Sequence, residues 1–194
     1  METLLSLTVG VGLAAACGFR VFVPLLVLNL AALTGQMTLP AGFAWLGDPY
    51  ATIVFGAATL AEIGGYYIPW VDSVLDAITT PAAVIAGTLA SAAVIVELPP
   101  LMKWSLALIA GGGIAGGIQA STVALRAKTT LASGGAANPV FSTLELAGAV
   151  VLAVLAVFIP LAALVVVVIF LVWIFRRLGR RFVGTSRFPK DGHP

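Results

Sequence analysis

From Leu146 to Phe175 the chain runs through 30 residues without an acidic or basic side chain, and the stretches 3–19, 21–47, 77–96 and 104–125 are uncharged as well. Several of these exceed the ~20 apolar residues that cross a bilayer as a helix. Segments such as Val165–Leu171 are apolar on every face, which excludes the alternating pattern of a transmembrane barrel. Composition agrees. Hydrophobic residues make up 60% of the chain, charged residues 9%, and mean hydropathy is +1.11; soluble domains hold about 45–50% and about 25%. The expected fold is all-α, a polytopic helical membrane protein.

The apolar pattern predicts about six spans: Leu4–Leu30, Tyr50–Ile68, Ala77–Val96, Trp104–Leu125, Val140–Ile159 and Leu161–Phe175. As one helix, 146–175 would reach ~45 Å, half again the hydrocarbon thickness, so Pro160 is expected to divide it into a hairpin. Asn138-Pro139 marks the start of the fifth span, because proline fits a first helical turn where its missing N–H costs nothing. The expected organisation is one transmembrane helical domain over 1–178 and a basic cytoplasmic tail over 179–194.

Charge orients these spans. Of ten basic residues, six (Arg176, Arg177, Arg180, Arg181, Arg187 and Lys190) follow residue 175. Six spans put them on one side with Arg126 and Lys128, leaving Lys103 opposite. The positive-inside rule then predicts both termini in the cytoplasm and a multi-pass protein of the bacterial inner membrane. A basic tail beside an apolar span, with no interleaved stacking aromatics beyond Phe182 and Phe188, is expected to be an anchor on anionic lipid and not a nucleic-acid site.

A single cysteine, Cys17, allows no intrachain disulfide or cysteine-based metal site, and the only histidine, His193, lies in the tail. With no Ser/His, metal or paired intramembrane aspartate set, an enzyme is not expected, and no cofactor or metal can be read from the chain.

Prolines open and close the second span (Asp48-Pro49, Ile68-Pro69) and the fifth (Asn138-Pro139, Ile159-Pro160), at separations of 20 and 21. Small-residue ladders followed by arginine occur in the first span (Gly10, Ala14, Gly18, Arg20) and the fourth (Gly112, Gly116, Arg126). Three-span halves related in this way form an inverted repeat, the alternative being unrelated packing ladders.

Three segments, Ala15-Ala16-Cys17-Gly18-Phe19-Arg20-Val21-Phe22-Val23-Pro24, Val71-Asp72-Ser73-Val74-Leu75-Asp76-Ala77-Ile78-Thr79-Thr80-Pro81 and Ala137-Asn138-Pro139-Val140-Phe141-Ser142-Thr143-Leu144-Glu145, stand in this order. In these motifs the chain resembles a small bacterial membrane-protein family known as domain of unknown function 4126, over roughly residues 6–180. The resemblance implies a compact helical fold and carries no activity with it.

Ionisable side chains at bilayer depth cost ~2.5–3.5 kcal/mol or more each, which makes Arg20, Glu62 and Glu145 the candidates for function. Arg20 lies in a segment too long for one straight crossing, between Gly18 and Pro24, and the expectation is either a broken helix lining a cavity or a kinked helix with a paired arginine. Glu62 and Glu145 are both expected in the cytoplasmic half. They either share a low-dielectric site, as a proton relay or cation site, or each neutralise a nearby base.

Gln119 and Thr122 share a polar stripe with Arg126 and complete the candidate buried site. Asp72, Asp76 and Thr80, with Arg126 and Lys128, are candidates for a cytoplasmic vestibule, although Asp76 also reads as an N-cap for a helix starting at Ala77. Gly18, Pro24, Asn138 and Pro139 are candidate hinges or breaks. The leading expectation is a transporter or channel for a small polar or ionic solute; the alternative is a structural or assembly subunit of a larger membrane complex. Besides lipid, the expected partner is a second copy, meeting through the small-residue faces of spans one and four, or that larger complex.

Overall fold

The computed structural model describes residues 2–68, 71–96 and 98–183, and the expected basic tail lies outside them from residue 184. Every regular element is helical: α1 Glu2–Cys17, α2 Phe22–Leu33, a 3₁₀ helix Ala41–Gly47, α3 Pro49–Tyr66, α4 Val71–Val94, α5 Pro100–Leu106, α6 Gly113–Ser133, α7 Asn138–Phe158 and α8 Pro160–Val183. A π-helical stretch, Ala107–Gly112, joins α5 to α6 without a break. Among the described residues, three rods are long and apolar enough to cross a membrane: Val71–Val94, Pro100–Ser133 and Asn138–Phe158. Shorter apolar helices cover Thr3–Cys17, Phe22–Leu33 and Pro160–Ile174.

Side-chain neighbours fix the helix directions. Against α1, α4 runs antiparallel: a Cβ on Gly10 would meet Ser91 Cα at 3.3 Å, and one on Gly87 would meet Ala14 Cβ at 3.5 Å. α7 is also antiparallel, with Ala156 against Gly12 and Ser142 against Arg20. α8 runs parallel to α1, from Ala163 beside Gly12 to Phe170, whose ring centroid is 5.2 Å from that of Phe19. Pro160 therefore closes a hairpin between α7 and α8, as its missing N–H and fixed φ favour at a helix start.

The first apolar run departs from expectation. It is not one crossing over Leu4–Leu30. α1 stops at Cys17, the N–H groups of Gly18, Phe19 and Arg20 closing back on Ala14, Ala15 and Ala16 carbonyls, and the next helix begins at Phe22. After α2, Phe43 packs on Trp104 with centroids 6.0 Å apart and lies under the Lys103 ammonium at 4.7 Å. Trp104 precedes Gly111, which packs on the Ser91 that touches Gly10, so Phe43 sits at the end where α1 starts. The seven residues 34–40 reach at most about 25 Å, so α2 must itself turn back towards that end. α1 and α2 form a helical hairpin with its tip at Gly18–Val21.

Several expectations are corrected by this path. Because α1 and α8 are parallel, the start of α1 and the end of α8 lie at opposite ends of the fold, where six crossings would bring them together. α1 also runs parallel to α6, Gly18 lying against Ala115 and Ile118, whereas an inverted repeat pairing those two ladders needs them antiparallel. The third expected span lies in α4, which starts at Val71 and runs through Pro81, so Asp76 is an interior residue and not an N-cap. The fourth is longer than Trp104–Leu125, spanning 100–133 with its π stretch.

Gly18, Gly87, Gly111 and Gly112 are used in close packing within the chain, whereas Gly113 and Gly117 of the fourth expected span have nothing within 4 Å of an added Cβ. A Cβ on Gly18 would fall 2.6 Å from the Ala115 carbonyl oxygen, and one on Gly87 would fall 2.5 Å from Ala115 Cβ. Gly111 approaches Gly87 O and Ser91 Oγ as closely. The core is correspondingly built of alanines (Ala14, Ala15, Ala16, Ala90, Ala92, Ala93, Ala115, Ala153), whose short side chains let α1, α4, α6 and α7 approach through dispersion contacts.

Candidate functional site

Arg20 lies in the α1–α2 break and is 1% exposed. Its Nη2 donates to the Ser142 carbonyl oxygen at 2.9 Å and to Ser142 Oγ at 2.5 Å, and stands 3.6 Å from Glu145 Oε2. Nε and Nη1 have no hydrogen-bond partner among the described residues.

Glu62 reaches the same break from α3. Its Oε1 accepts the Val21 N–H at 2.9 Å and its Oε2 the Phe22 N–H at 3.2 Å. These are amides of the first turn of α2, which a helix cannot satisfy internally, and the positive end of the helix dipole favours the carboxylate there. No side chain within α2 caps this terminus; Glu62 caps it across the tertiary structure.

Arg126 comes from α6. Its Nη1 donates to Asp76 Oδ1 of α4 at 2.7 Å, and its Nη2 to Glu145 Oε2 of α7 in a short ion pair. The Arg20 and Arg126 guanidinium carbons lie 3.9 Å and 4.3 Å from the centroid of the Tyr66 ring, close enough for cation–π attraction to hold both. The Tyr66 hydroxyl bonds Thr79 at 2.9 Å, and Gln119 Nε2 donates to the same Thr79 hydroxyl at 3.0 Å. A polar chain thus leads from Gln119 through Thr79 and Tyr66 to the two arginines.

Arg20, Glu62, Gln119 and Glu145 do come together, but the two glutamates do not form a carboxylate pair. Glu62 is held by amides and Glu145 by guanidinium groups, so the low-dielectric carboxylate couple expected for a relay is replaced by separate neutralisation. Thr122 is not drawn in; its hydroxyl donates to the Gln119 carbonyl at 2.9 Å.

The vestibule divides. Asp76 and Arg126 join the cluster. Asp72 is buried one layer further out, accepting from Asn138 Nδ2 at 2.6 Å, while Asn138 Oδ1 accepts from Thr130 at 3.0 Å. Thr80 donates to the Asp76 carbonyl at 2.6 Å within its own helix, and Lys128 is exposed and apart. Of the candidate hinges, Gly18 opens the break and Pro24 stands in the first turn of α2. Asn138 and Pro139 instead start α7, with Asn138 locked by its two partners after a turn in which Gly134 and Gly135 adopt φ +60° and +90°.

Sequence reasoning missed Asn29, buried in α2, which donates to the Leu46 and Asp48 carbonyls at 2.7 Å and 3.1 Å and accepts from Thr52 at 2.7 Å. A lone amide in an apolar run was its signal. Tyr66, Thr79 and Ser142 are further members whose neutral side chains stood out less than the charges. Among the described residues, no three His, Cys, Asp or Glu side chains gather to hold a metal ion.

No curated protein and no solved structure matches the chain. The family model described as domain of unknown function (DUF4126) matches residues 7–180, nearly the whole chain, and the chain belongs to that family.

Proposed function

We propose that this protein carries a small polar or ionic solute across the bacterial inner membrane through a site framed by Arg20, Glu62, Gln119 and Glu145. The observation that carries the reading is the broken first helix, with a buried arginine at the break that keeps two nitrogens unpaired. Scaffold positions filled with leucine would avoid the cost of burying these charges, whereas a permeation site needs donors and acceptors in place of lost hydration. Helices broken at membrane depth, with their freed amides turned to an anion, are a recurring means of building such sites.

In this reading α3, α4, the α5–α6 rod, α7 and α8 cross the bilayer, and the α1–α2 hairpin enters and leaves from one side. Arg126 and Lys128 at the other end, with the arginines that follow Phe175, orient that end to the cytoplasm. The start of α1 then faces outward.

Flux into liposomes containing the purified protein tests the proposal. Glu62→Gln and Glu145→Gln are each expected to weaken flux while the protein stays folded. Unchanged flux in both variants would remove the two glutamates from the pathway, and absence of flux in the wild type, together with native purification as a stable complex with other membrane subunits, would replace transport by an assembly role.

A further inference from the structure

Among the described residues, the side-chain bonds that join α3, α4, α6 and α7 all lie in the half of the bundle where α7 begins, and in order they close a ring. Tyr66 of α3 bonds Thr79 of α4 at 2.9 Å, and Asp76 of α4 accepts from Arg126 of α6 at 2.7 Å. Arg126 pairs with Glu145 of α7, and Thr143 of α7 bonds Tyr67 at the end of α3 at 2.7 Å. Across the ring, one turn before Asp76, Asp72 accepts from Asn138 of α7 at 2.6 Å. Both residues are buried, so this bond closes that end over Gln119, Arg126 and Glu145.

The other half is joined differently. A Cβ on Gly12 of α1 would fall 2.7 Å from Ala156 Cβ of α7, and one on Gly87 of α4 would fall 2.5 Å from Ala115 Cβ of α6. Parting such surfaces forfeits dispersion contacts and gains nothing, whereas polar bonds near the helix ends exchange for bonds to water. The α6–α7 turn allows that exchange. Gly134 and Gly135 have nothing within 4 Å of an added Cβ, and the N–H groups of Ala136, Ala137 and Asn138 bond Ser133 and Gly135 within the turn. It is the side chain of Asn138 that ties the start of α7 to α4. Asp72 favours the exchange as well. Its carboxylate takes the Asn138 amide and the Ser73 N–H, the latter at 2.7 Å, and pairs with no cation among the described residues, so it regains hydration when the bond parts.

We infer that Asp72 and Asn138 form the latch of a gate at this end of the bundle, an inference that rests on the transport reading and adds how the site is reached. In the structure the latch is closed. When it parts, the first turns of α7 move away from α4 about the Gly134–Gly135 turn, water enters as far as Gln119, and Asp72 and Asn138 bond that water. The alanine-packed half stays shut, so the opening leads to one side of the membrane.

Reaction of Gln119→Cys, in a Cys17→Ala background, with a membrane-impermeant trimethylammonium methanethiosulfonate tests the latch. The reagent is added to the full-length protein in liposomes from the side at which Lys128→Cys reacts. Adding Asn138→Ala is expected to speed the reaction about tenfold, the population shift that losing one hydrogen bond produces. Adding Asp72→Asn, which keeps an acceptor for Asn138 and removes the charge, is expected to slow it about threefold, because hydration of a carboxylate no longer favours the open state. General loosening of the fold would speed both, so opposite signs separate a latch from a tie that only stabilises. Leu152→Cys, buried in the alanine-packed half of α7, should stay unreactive throughout. Should Asn138→Ala not fold, slowing by Asp72→Asn still decides. An unchanged rate in either variant, faster reaction with Asp72→Asn, or reaction of Leu152→Cys overturns the inference. Absence of flux in wild-type liposomes, a measurement that neither reporter nor variant enters, overturns the transport reading; opposite shifts in labelling without that flux leave a mouth that opens and no solute that passes.

Discussion

The carboxylate of Glu62 accepts the backbone N–H of Val21 at 2.9 Å across 41 residues of sequence, so that an acid on α3 caps the helix that follows the break in the first apolar run. This bond ties the reversal of the chain at Gly18–Val21 to the charge cluster. Leu at position 62 is expected to leave the first-turn amides of α2 unpaired and to cost about 2–4 kcal/mol, counting two buried donors at roughly 1–2 kcal/mol each. Glu62→Gln keeps one acceptor and should cost less. Thermal unfolding in detergent checks the order of the two.

Arg126 is the partner shared by Asp76 and Glu145. Arg126→Met leaves two carboxylates without it, and breaking buried pairs by removing one side typically costs about 3–5 kcal/mol. Adding Asp76→Asn and Glu145→Gln to Arg126→Met should restore part of that loss. A triple variant less stable than the single one would contradict the electrostatic account.

Gly18 packs where α1 meets α6, and its added Cβ would meet a backbone oxygen that cannot rotate away. Gly18→Ala should destabilise by about 1–3 kcal/mol through overpacking. Gly117, which has nothing within 4 Å of an added Cβ, is the control, and Gly117→Ala should leave the melting temperature unchanged or raise it.

Asn138→Asp would set a second carboxylate against Asp72, where a 2.6 Å hydrogen bond now stands. At pH 7 the variant should be markedly less stable than wild type. As pH falls the pair can share a proton and remake the bond, so the gap between variant and wild type should close on acidification. Unfolding curves at pH 5 and pH 7.5 measure this, and a gap that widens at pH 5 would refute it.

Thr3→Cys and Lys103→Cys should react with an impermeant thiol reagent from one side of the membrane, and Lys128→Cys only from the other. The parallel course of α1 and the α5–α6 rod underlies this expectation. Labelling of positions 3 and 128 from the same side would restore the six-crossing topology.

What the sequence determined by itself follows from local composition. Uncharged runs longer than a bilayer dictate helices, because apolar surroundings leave backbone groups no partners but each other. Pro160 is legible as a hairpin since proline ends one helix and suits the first turn of the next. Arg20, Glu62 and Glu145 stood out because charge among apolar residues is costly, and the structure gathers Arg20 and Glu145 directly, with Glu62 on the amides beside them.

Tertiary structure alone decided the path and the pairings. The run over Leu4–Leu30 is apolar on both sides of Arg20, and its hydropathy does not say which way the chain turns there; the turn at Gly18–Val21 is held by Glu62, 40 residues away and more. That reversal changes the parity of the helix directions and sets the start of α1 and the end of α8 at opposite ends of the fold, where a count of apolar runs expects them together. The choice of Arg126 for Glu145, of Ser142 for Arg20 and of Asn138 for Asp72 is likewise invisible in one dimension. Each partner lies on a different helix, and close approach at Gly18, Gly87 and Gly111 sets how those helices face one another.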